Sequence, residues 1–422
     1  MYFKSIKQQL INFKNIKIKY FFLILVIFLP KVDLFQLPLD GVKQGPRIDD
    51  IIILIFALSL FFQNKNPMAL WSNNFIFKNW IIFFCLIMFF NIIHVINHKN
   101  LNLLILLRII EYTILIIFLN NVLDKNNIYK IIKFYIIINF IFSVLQVFNL
   151  IGSISSIGYL GPDHLLNQRS YGILGGSWEL GIVFGILGLA CFRARYDMKN
   201  YLFYMTLCSI NVFLAYGITN LIGYVLSIIL ILLIILFNKI KKFSIKSIIY
   251  SLMLILIISS IFYFINFHTN IYNKILSNDF LSRLSKIDFL YLWDVYTNYF
   301  TTGYIPELND VKDPLTHYSI ILRLETWQSS ILEFQKNNIS KFIGIGLNEL
   351  YIESLIVRAI TATGLIGCIL IFYSILGVPL YFLIFIIISG INIDLYVSIK
   401  IFIFTFIFFK INQLARHGNN II

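Results

Sequence analysis

The side chains able to do chemistry here are few, and they are arginines and carboxylates set in or beside apolar stretches. Arg108 and Glu111 stand three apart, which puts them on one face of a helix. Such a pair either pins two helices together as an internal ion pair or lines a polar cavity. Arg169 leads a glycine-rich run, QRSYGILGGSWELG, in which Gly172, Gly175, Gly176 and Gly181 would let a helix or a ligand approach the backbone. The bland alternative is ordinary helix packing with an arginine at the lipid headgroups. Arg323 and Trp327, four apart in RLETW, share one side of a helix. Arg323 either snorkels toward water or clamps a phosphate with its planar fork of donors. Glu353 and Arg358 are five apart in ELYIESLIVRAITATGLIG and point partly away from each other on a helix. A simple pair is therefore not implied, and interfacial solvation would also account for both.

Taken together these groups fit one kind of reaction. Several arginines around a pyrophosphate would stabilise a leaving anion. A carboxylate beside them would take the proton of an attacking sugar hydroxyl. The chain has no Asp-x-Asp, no His/Cys cluster and no phosphate-binding glycine loop opening a soluble domain. No metal and no nucleotide or other cofactor is expected, so a sugar donor would have to be lipid-linked. Cys85, Cys191, Cys208 and Cys368 lie in apolar runs at unrelated spacings and outline no disulfide framework.

The elements that must hold these residues are themselves apolar. Of 422 residues, 59% are hydrophobic and only 13% charged, with a mean hydropathy of +0.84, where a soluble domain has about a quarter charged. Stretches 51–63, 136–156 and 216–237 carry no charge at all. About 20 apolar residues of helix cross a bilayer, and lipid leaves no partner for backbone groups outside helices or closed barrels. Barrel strands alternate apolar and polar residues, and these stretches do not. The expectation is an all-α fold, a polytopic transmembrane bundle of about twelve spans. They fall at roughly 18–37, 48–63, 80–97, 101–122, 131–151, 172–192, 201–217, 218–238, 247–267, 352–376, 378–393 and 395–412. Only Gly377-Val378-Pro379 divides the last long apolar stretch, so eleven spans also fit. The first run meets Pro30-Lys31 without a small-residue cleavage site and reads as an uncleaved span.

Basic residues orient the bundle. With the N-terminus in the cytoplasm, the cytoplasmic segments hold 19 lysines and arginines and the short outer segments 5. The net charge of +14 then belongs to span ends that meet anionic membrane lipid, and no nucleic-acid partner is expected. This orientation puts a connection of roughly eighty residues, about 268–351, outside. It is rich in Leu, Ile and aromatic residues and is not disordered by composition. Two amphipathic helices are expected in it, at about 279–296 and 319–334, the second from the recurrence of Ile320, Leu324, Trp327, Ile331 and Phe334. They would lie on the membrane face or cap the spans. The chain thus divides into 1–267 with about nine spans, the outer loop 268–351, and 352–422 with the last spans, all one membrane domain. Arg169, Arg323, Glu353 and Arg358 all fall on the outer side.

Three signatures resemble those of the O-antigen polymerase and O-antigen ligase superfamily of bacterial envelope enzymes. The first is Arg169 with Gly172 and Leu180-Gly181; the second is Arg323 with Trp327, followed by Gly344-Ile345-Gly346; the third is Gly364-Leu365-Ile366-Gly367, with Glu353 eleven residues ahead. Where ligases of this superfamily carry His-Asn, this chain has Glu353-Ser354, which favours the polymerase branch. The asparagine–proline usual after the first arginine is absent. The family's Ser-Arg of a middle span is matched only by Thr219-Asn220 ahead of Gly223.

The resemblance implies a metal-independent glycosyltransferase of the bacterial inner membrane. It would move a growing glycan from a polyprenyl (undecaprenyl) diphosphate onto a lipid-linked repeat, building O-antigen, capsule or another exopolysaccharide. It assigns Arg169 and Arg323 to the diphosphates, Glu353 to the base, and Arg358, Trp327, Arg108 and Glu111 to the substrate. A chain-length regulator protein is a further implied partner. The rival readings are a flippase for lipid-linked oligosaccharide, for which two related halves would be expected and are not visible, a ligase, and an envelope scaffold.

Overall fold

The computed structural model describes residues 21, 23–29, 37–39, 42–44, 47–63, 82, 85, 89, 92, 110–115, 119, 125–148, 150–152, 170–215, 217–240, 289–306, 314–336, 338–345, 354–375, 378–391 and 398–419. Arg108, Arg169, Glu353 and the expected span 247–267 lie outside them, as do most of 18–37, 80–97 and 101–122.

The described structure is helical apart from one small hairpin. In it β1 (Leu37–Leu39) pairs antiparallel with β2 (Val42–Gln44), Leu39 opposite Val42. The sequence between them is Asp40-Gly41, the dipeptide favoured in a two-residue hairpin connection. A hydropathy reading passes over it as a connection between spans.

The helices are α1 (Ile48–Gln63), α2 (Lys125–Val147), α3 (Ser177–Arg193), α4 (Tyr201–Leu214), α5 (Ile218–Ile240), α6 (Phe289–Thr302), α7 (Pro314–Gln335), α8 (Asn338–Ile343), α9 (Leu355–Ile375), α10 (Leu380–Ile391) and α11 (Ile399–Asn419). The all-α expectation holds in this coarse form. Among the described residues, one helix, Asn127–Val147, is long and apolar enough to cross a membrane; Tyr201–Leu214, Thr219–Ile235, Leu355–Ile371 and Leu380–Ile391 are shorter apolar helices.

Helix α3 is the axis of the bundle. Its sequence is apolar on every face, and from Glu179 to Phe192 it is buried throughout. Glycines let its neighbours close in. The space that a β-carbon would need is taken by Asn220 at Gly181, by Phe385 at Gly185 and by Tyr224 at Gly188. Helix α5 therefore runs parallel to α3. Helix α10 runs antiparallel: Tyr381 meets Phe192 edge-on at 5.8 Å near one end, and Phe385 sits at Gly185 further along. Helix α11 runs parallel, tied to the start of α3 by Ser398 to Glu179 and to its end by Arg193 Nε donating to Asn412 Oδ1 at 2.8 Å. Helix α2 runs antiparallel, with Tyr135 stacked 6.1 Å from Phe184 and Tyr129 donating to Asp197 beyond the end of α3. Rings fill the interior; Phe382 stacks on Phe408 with centroids 3.7 Å apart.

A second group of helices packs at one end. The faces of α6 and α7 meet through Val295, Tyr299, Ile321, Leu324 and Trp327, and Val357 of α9 packs against this cluster. The helix expected at 319–334 lies within α7. The one expected at 279–296 is observed as α6, Phe289–Thr302, so it continues beyond the expected end, and 279–288 lies outside the described residues.

Candidate functional site

The polar interior begins where α2 ends. Gln146 is buried at the C-terminal end of that helix. Its Oε1 accepts from Tyr171 N at 2.8 Å, Gly172 N at 2.7 Å and Ser170 Oγ at 3.3 Å. Its Nε2 donates to Gly172 O at 2.9 Å and to Gly152 O at 3.4 Å. One turn-pair earlier on the same helix, Asn139 Oδ1 accepts from Ile173 N at 3.1 Å. Ser170 N donates to Leu214 O at the end of α4. The irregular chain from 170 to 175 is thus satisfied by buried partners from several helices, the condition under which non-helical backbone survives in an apolar interior.

Beyond this segment sits a buried ionic group. Glu179, in the first turn of α3, accepts from Gly175 N at 2.7 Å and from Ser398 Oγ. Ser398 Oγ also accepts from Ile401 N at 3.2 Å, so the same hydroxyl caps the start of α11. Lys400, 4% exposed, donates to Ile173 O at 3.3 Å and lies within the electrostatic reach of Glu179 and of Asp49 on α1. The N-terminal turns of α1, α3 and α11 therefore gather on one group of charges. Helix N-termini carry partial positive charge, which favours the carboxylates.

The start of α9 lies at this same end. Leu355 packs on Gly390, near the C-terminus of α10, which approaches the N-terminus of α3. Ser354 Oγ accepts from Val357 N at 3.4 Å, a cap that begins the helix directly after Glu353 in the sequence. Arg358 sits half-buried in the first turn. Arg323 and Trp327 are on α7, on the face toward α6. Trp327 is buried, with its ring 6.5 Å from that of Tyr296. Burial pushes the Tyr296 phenol above its ordinary range, and the Arg323 guanidinium nearby pulls it part of the way back. The Trp327 indole N–H and the Ser330 hydroxyl are buried with no hydrogen-bond partner among the described residues.

Two glycine signatures meet here. At Gly364 the backbone of α9 has φ 60° and ψ −158°, a region open essentially to glycine, and the helix breaks. Beside the break, Ile345 N donates to Thr361 O at 2.8 Å. Gly344, at φ 80°, lies against Ala362 and Thr363, and a β-carbon on Gly364 would come 2.6 Å from Gly344 N. Gly344 and Gly364, separate signatures in the sequence, are one backbone contact in the fold.

Of the residues expected to act, Arg323, Trp327 and Arg358 lie on helices packed together at one end of the bundle. Glu111 is buried on the helical residues 110–115, where Tyr112 stacks 4.6 Å from Phe402 of α11. Gln146, Asn139, Glu179, Lys400 and Asp49 were not expected to act. The signal that marks them is the same for all: a strongly polar side chain inside or at the edge of an apolar run. No family model matches the chain, and no curated protein matches it significantly.

Proposed function

We propose that the chain is an integral glycosyltransferase of the bacterial plasma membrane, with about twelve spans and a cytoplasmic N-terminus, that polymerises lipid-linked glycan repeats on the outer face. The observation that carries this reading is the shared end: the start of α9, with Arg358 and the cap before which Glu353 stands, packs against the α7 helix that bears Arg323, near the helix ends that hold the 170–175 segment following Arg169. In the reaction, a sugar hydroxyl of the acceptor repeat attacks the anomeric carbon of the donor glycan. The bond from that carbon to the diphosphate oxygen breaks, and polyprenyl diphosphate leaves with both bond electrons. The hydroxyl proton passes to Glu353. Arg169 and Arg323 hold the diphosphates and stabilise the charge that develops on the leaving group, while Arg358 orients the acceptor.

The test is glycan length in cells that make the polymer. Arg323→Ala and Glu353→Gln should each shorten the product to one or a few repeats at normal protein level, since loss of a transition-state donor or base costs about 10²–10³ in rate. Unchanged length removes that residue from the mechanism.

One observation favours a flippase instead: a helix broken inside an apolar stretch, as α9 is at Gly364, is a common device of transporters. Purified protein given two defined lipid-linked repeats separates the readings, because a polymerase joins them with no second compartment present.

A further inference from the structure

Three hydrogen-bond donors gather at the C-terminal end of α3, opposite the end that carries Glu179. Arg193 is the last residue of that helix and Arg195 lies in the turn after it, both half-buried. Tyr381 stands at the start of α10 and is 6% exposed. The ring of Phe192 joins them: Tyr381 meets it edge-on at 5.8 Å, and the Arg195 guanidinium lies 4.6 Å from its centre. The Tyr381 phenol is within electrostatic reach of both guanidiniums. Its hydroxyl is buried with no hydrogen-bond partner among the described residues. Arg195 donates to Phe192 O at 3.5 Å and to the Tyr196 hydroxyl at 3.2 Å, neither of them charged. Arg193 is held through its Nε on Asn412 of α11. Asp197, the carboxylate of this turn, accepts from Tyr129 of α2 at 3.4 Å.

A phenol sealed in an apolar interior without an acceptor is costly, and the charged groups nearest it are donors too. What complements such a set is an anion with several acceptor oxygens. The last carbonyls of α3, which would repel an anion, are already bonded within the turn: Ala190 O accepts from Ala194 N and Phe192 O from Arg195 N. We propose that Arg193, Arg195 and Tyr381 form a binding site for a phosphate group, supplied either by the headgroup of an anionic lipid or as free phosphate. The planar fork of arginine matches phosphate oxygens, and basic pockets between spans on the cytoplasmic side suit anionic headgroups. The lipid source needs the membrane reading proposed above; the site does not depend on glycosyl transfer.

The experiment uses the full-length protein in detergent. Phosphatidylglycerol and phosphatidylcholine are titrated by native mass spectrometry, and inorganic phosphate by calorimetry. Phosphatidylglycerol should bind more tightly than phosphatidylcholine, whose choline opposes the arginines. Tyr381→Phe, which keeps the ring against Phe192 and removes only the hydroxyl, should weaken anion binding by about tenfold, and Arg195→Gln by a similar factor. Arg195→Lys replaces the glutamine variant if that one does not fold; it keeps the charge, loses the fork, and should still bind more weakly. Lys199→Gln removes one exposed charge from the same turn and should change affinity by about twofold or less, because such charges are screened. A response to the lipid alone upholds the site with a headgroup as its ligand. Inorganic phosphate bound with the same sensitivity to Tyr381→Phe and Arg195→Gln upholds it with free phosphate as the ligand. The proposal is overturned if the wild-type chain neither prefers phosphatidylglycerol nor binds phosphate, or if binding is indifferent to Tyr381→Phe and the Arg195 variant. A loss in Lys199→Gln as large as that in Arg195→Gln also overturns it, since diffuse surface charge would then account for the binding. None of these outcomes bears on the polymerase reading, which glycan length tests separately.

Discussion

At the scale of residues, the buried ionic group decides how the bundle end is held. Glu179 is 2% exposed and Lys400 4%, and each is bonded to the 170–175 segment as well as acted on by the other's charge. Removing one partner leaves a buried charge with less to oppose it, a change that typically costs about 3–5 kcal/mol. Lys400→Met and Glu179→Leu should each lose stability of that order in thermal or denaturant melts of the purified protein. The double variant should lose less than the two losses combined, by about 0.5–3 kcal/mol, because the pair is coupled. Strict additivity would mean that the two charges do not act on each other. These two residues also show what a linear reading cannot see. Glu179 stands inside the quoted QRSYGILGGSWELG, and Lys400 interrupts an apolar run. Both were visible as charges in the wrong place. What made them partners is Ser398, more than two hundred positions from Glu179, whose hydroxyl caps one helix and donates to the first turn of another. Hydropathy and spacing carry no information on such a contact.

At the scale of elements, the break in α9 is the feature with most consequence. Adding one methyl at Gly364 would meet the backbone of Phe342 and Gly344 at 2.6 Å and would force an alanine into a glycine-only conformation. Strain of this kind costs about 1–3 kcal/mol, and overpacking a similar amount. Gly364→Ala should therefore lower the melting stability by about 3 kcal/mol. Gly152→Ala, with nothing within 4 Å of the added carbon, should stay within about 0.5 kcal/mol of the parent. A neutral Gly364→Ala would show that the α8–α9 contact is not what the glycine serves. Among the described residues, helix positions were largely legible. Ile48–Gln63 has the bounds expected for the second span, and Ile218–Ile240 nearly those of the eighth, because long apolar runs between polar stops leave little freedom. The break was not legible: Gly364-Leu365-Ile366-Gly367 reads equally well as a place of close helix packing. Its meaning came from Gly344, which lies outside the helix altogether. The continuation of α6 past residue 296 to Thr302 has a similar origin, since Val295 and Tyr299 are buried against α7 and the partner face, not local periodicity, extends the helix.

At the scale of the whole molecule, the described helices gather two sets of residues at opposite ends of the bundle. One end holds Gln146, the 170–175 segment, the starts of α3, α9 and α11, and the α6–α7 pair. The other holds the turn after α3, with Arg193 bonded to Asn412, Arg195 against the rings of Phe192 and Tyr196, and Lys133 over the ring of Tyr204. The topology proposed above would put the first set outside and the second in the cytoplasm. That correspondence has a direct test in cells. Tyr196, 76% exposed in the turn after α3, and Leu332, 56% exposed on α7, are suitable reporters at opposite ends. Cys85 is exposed and Cys368 half-buried, so both should first be replaced by alanine. In that background a membrane-impermeant maleimide should label Leu332→Cys in intact cells and Tyr196→Cys only after permeabilisation. Labelling of the two from the same side would break the proposed topology, and the reverse pattern would place the Arg323 and Arg358 end in the cytoplasm. Polymerisation at the outer face requires those arginines where exported lipid-linked repeats arrive, so either result would end that proposal without any measurement of activity.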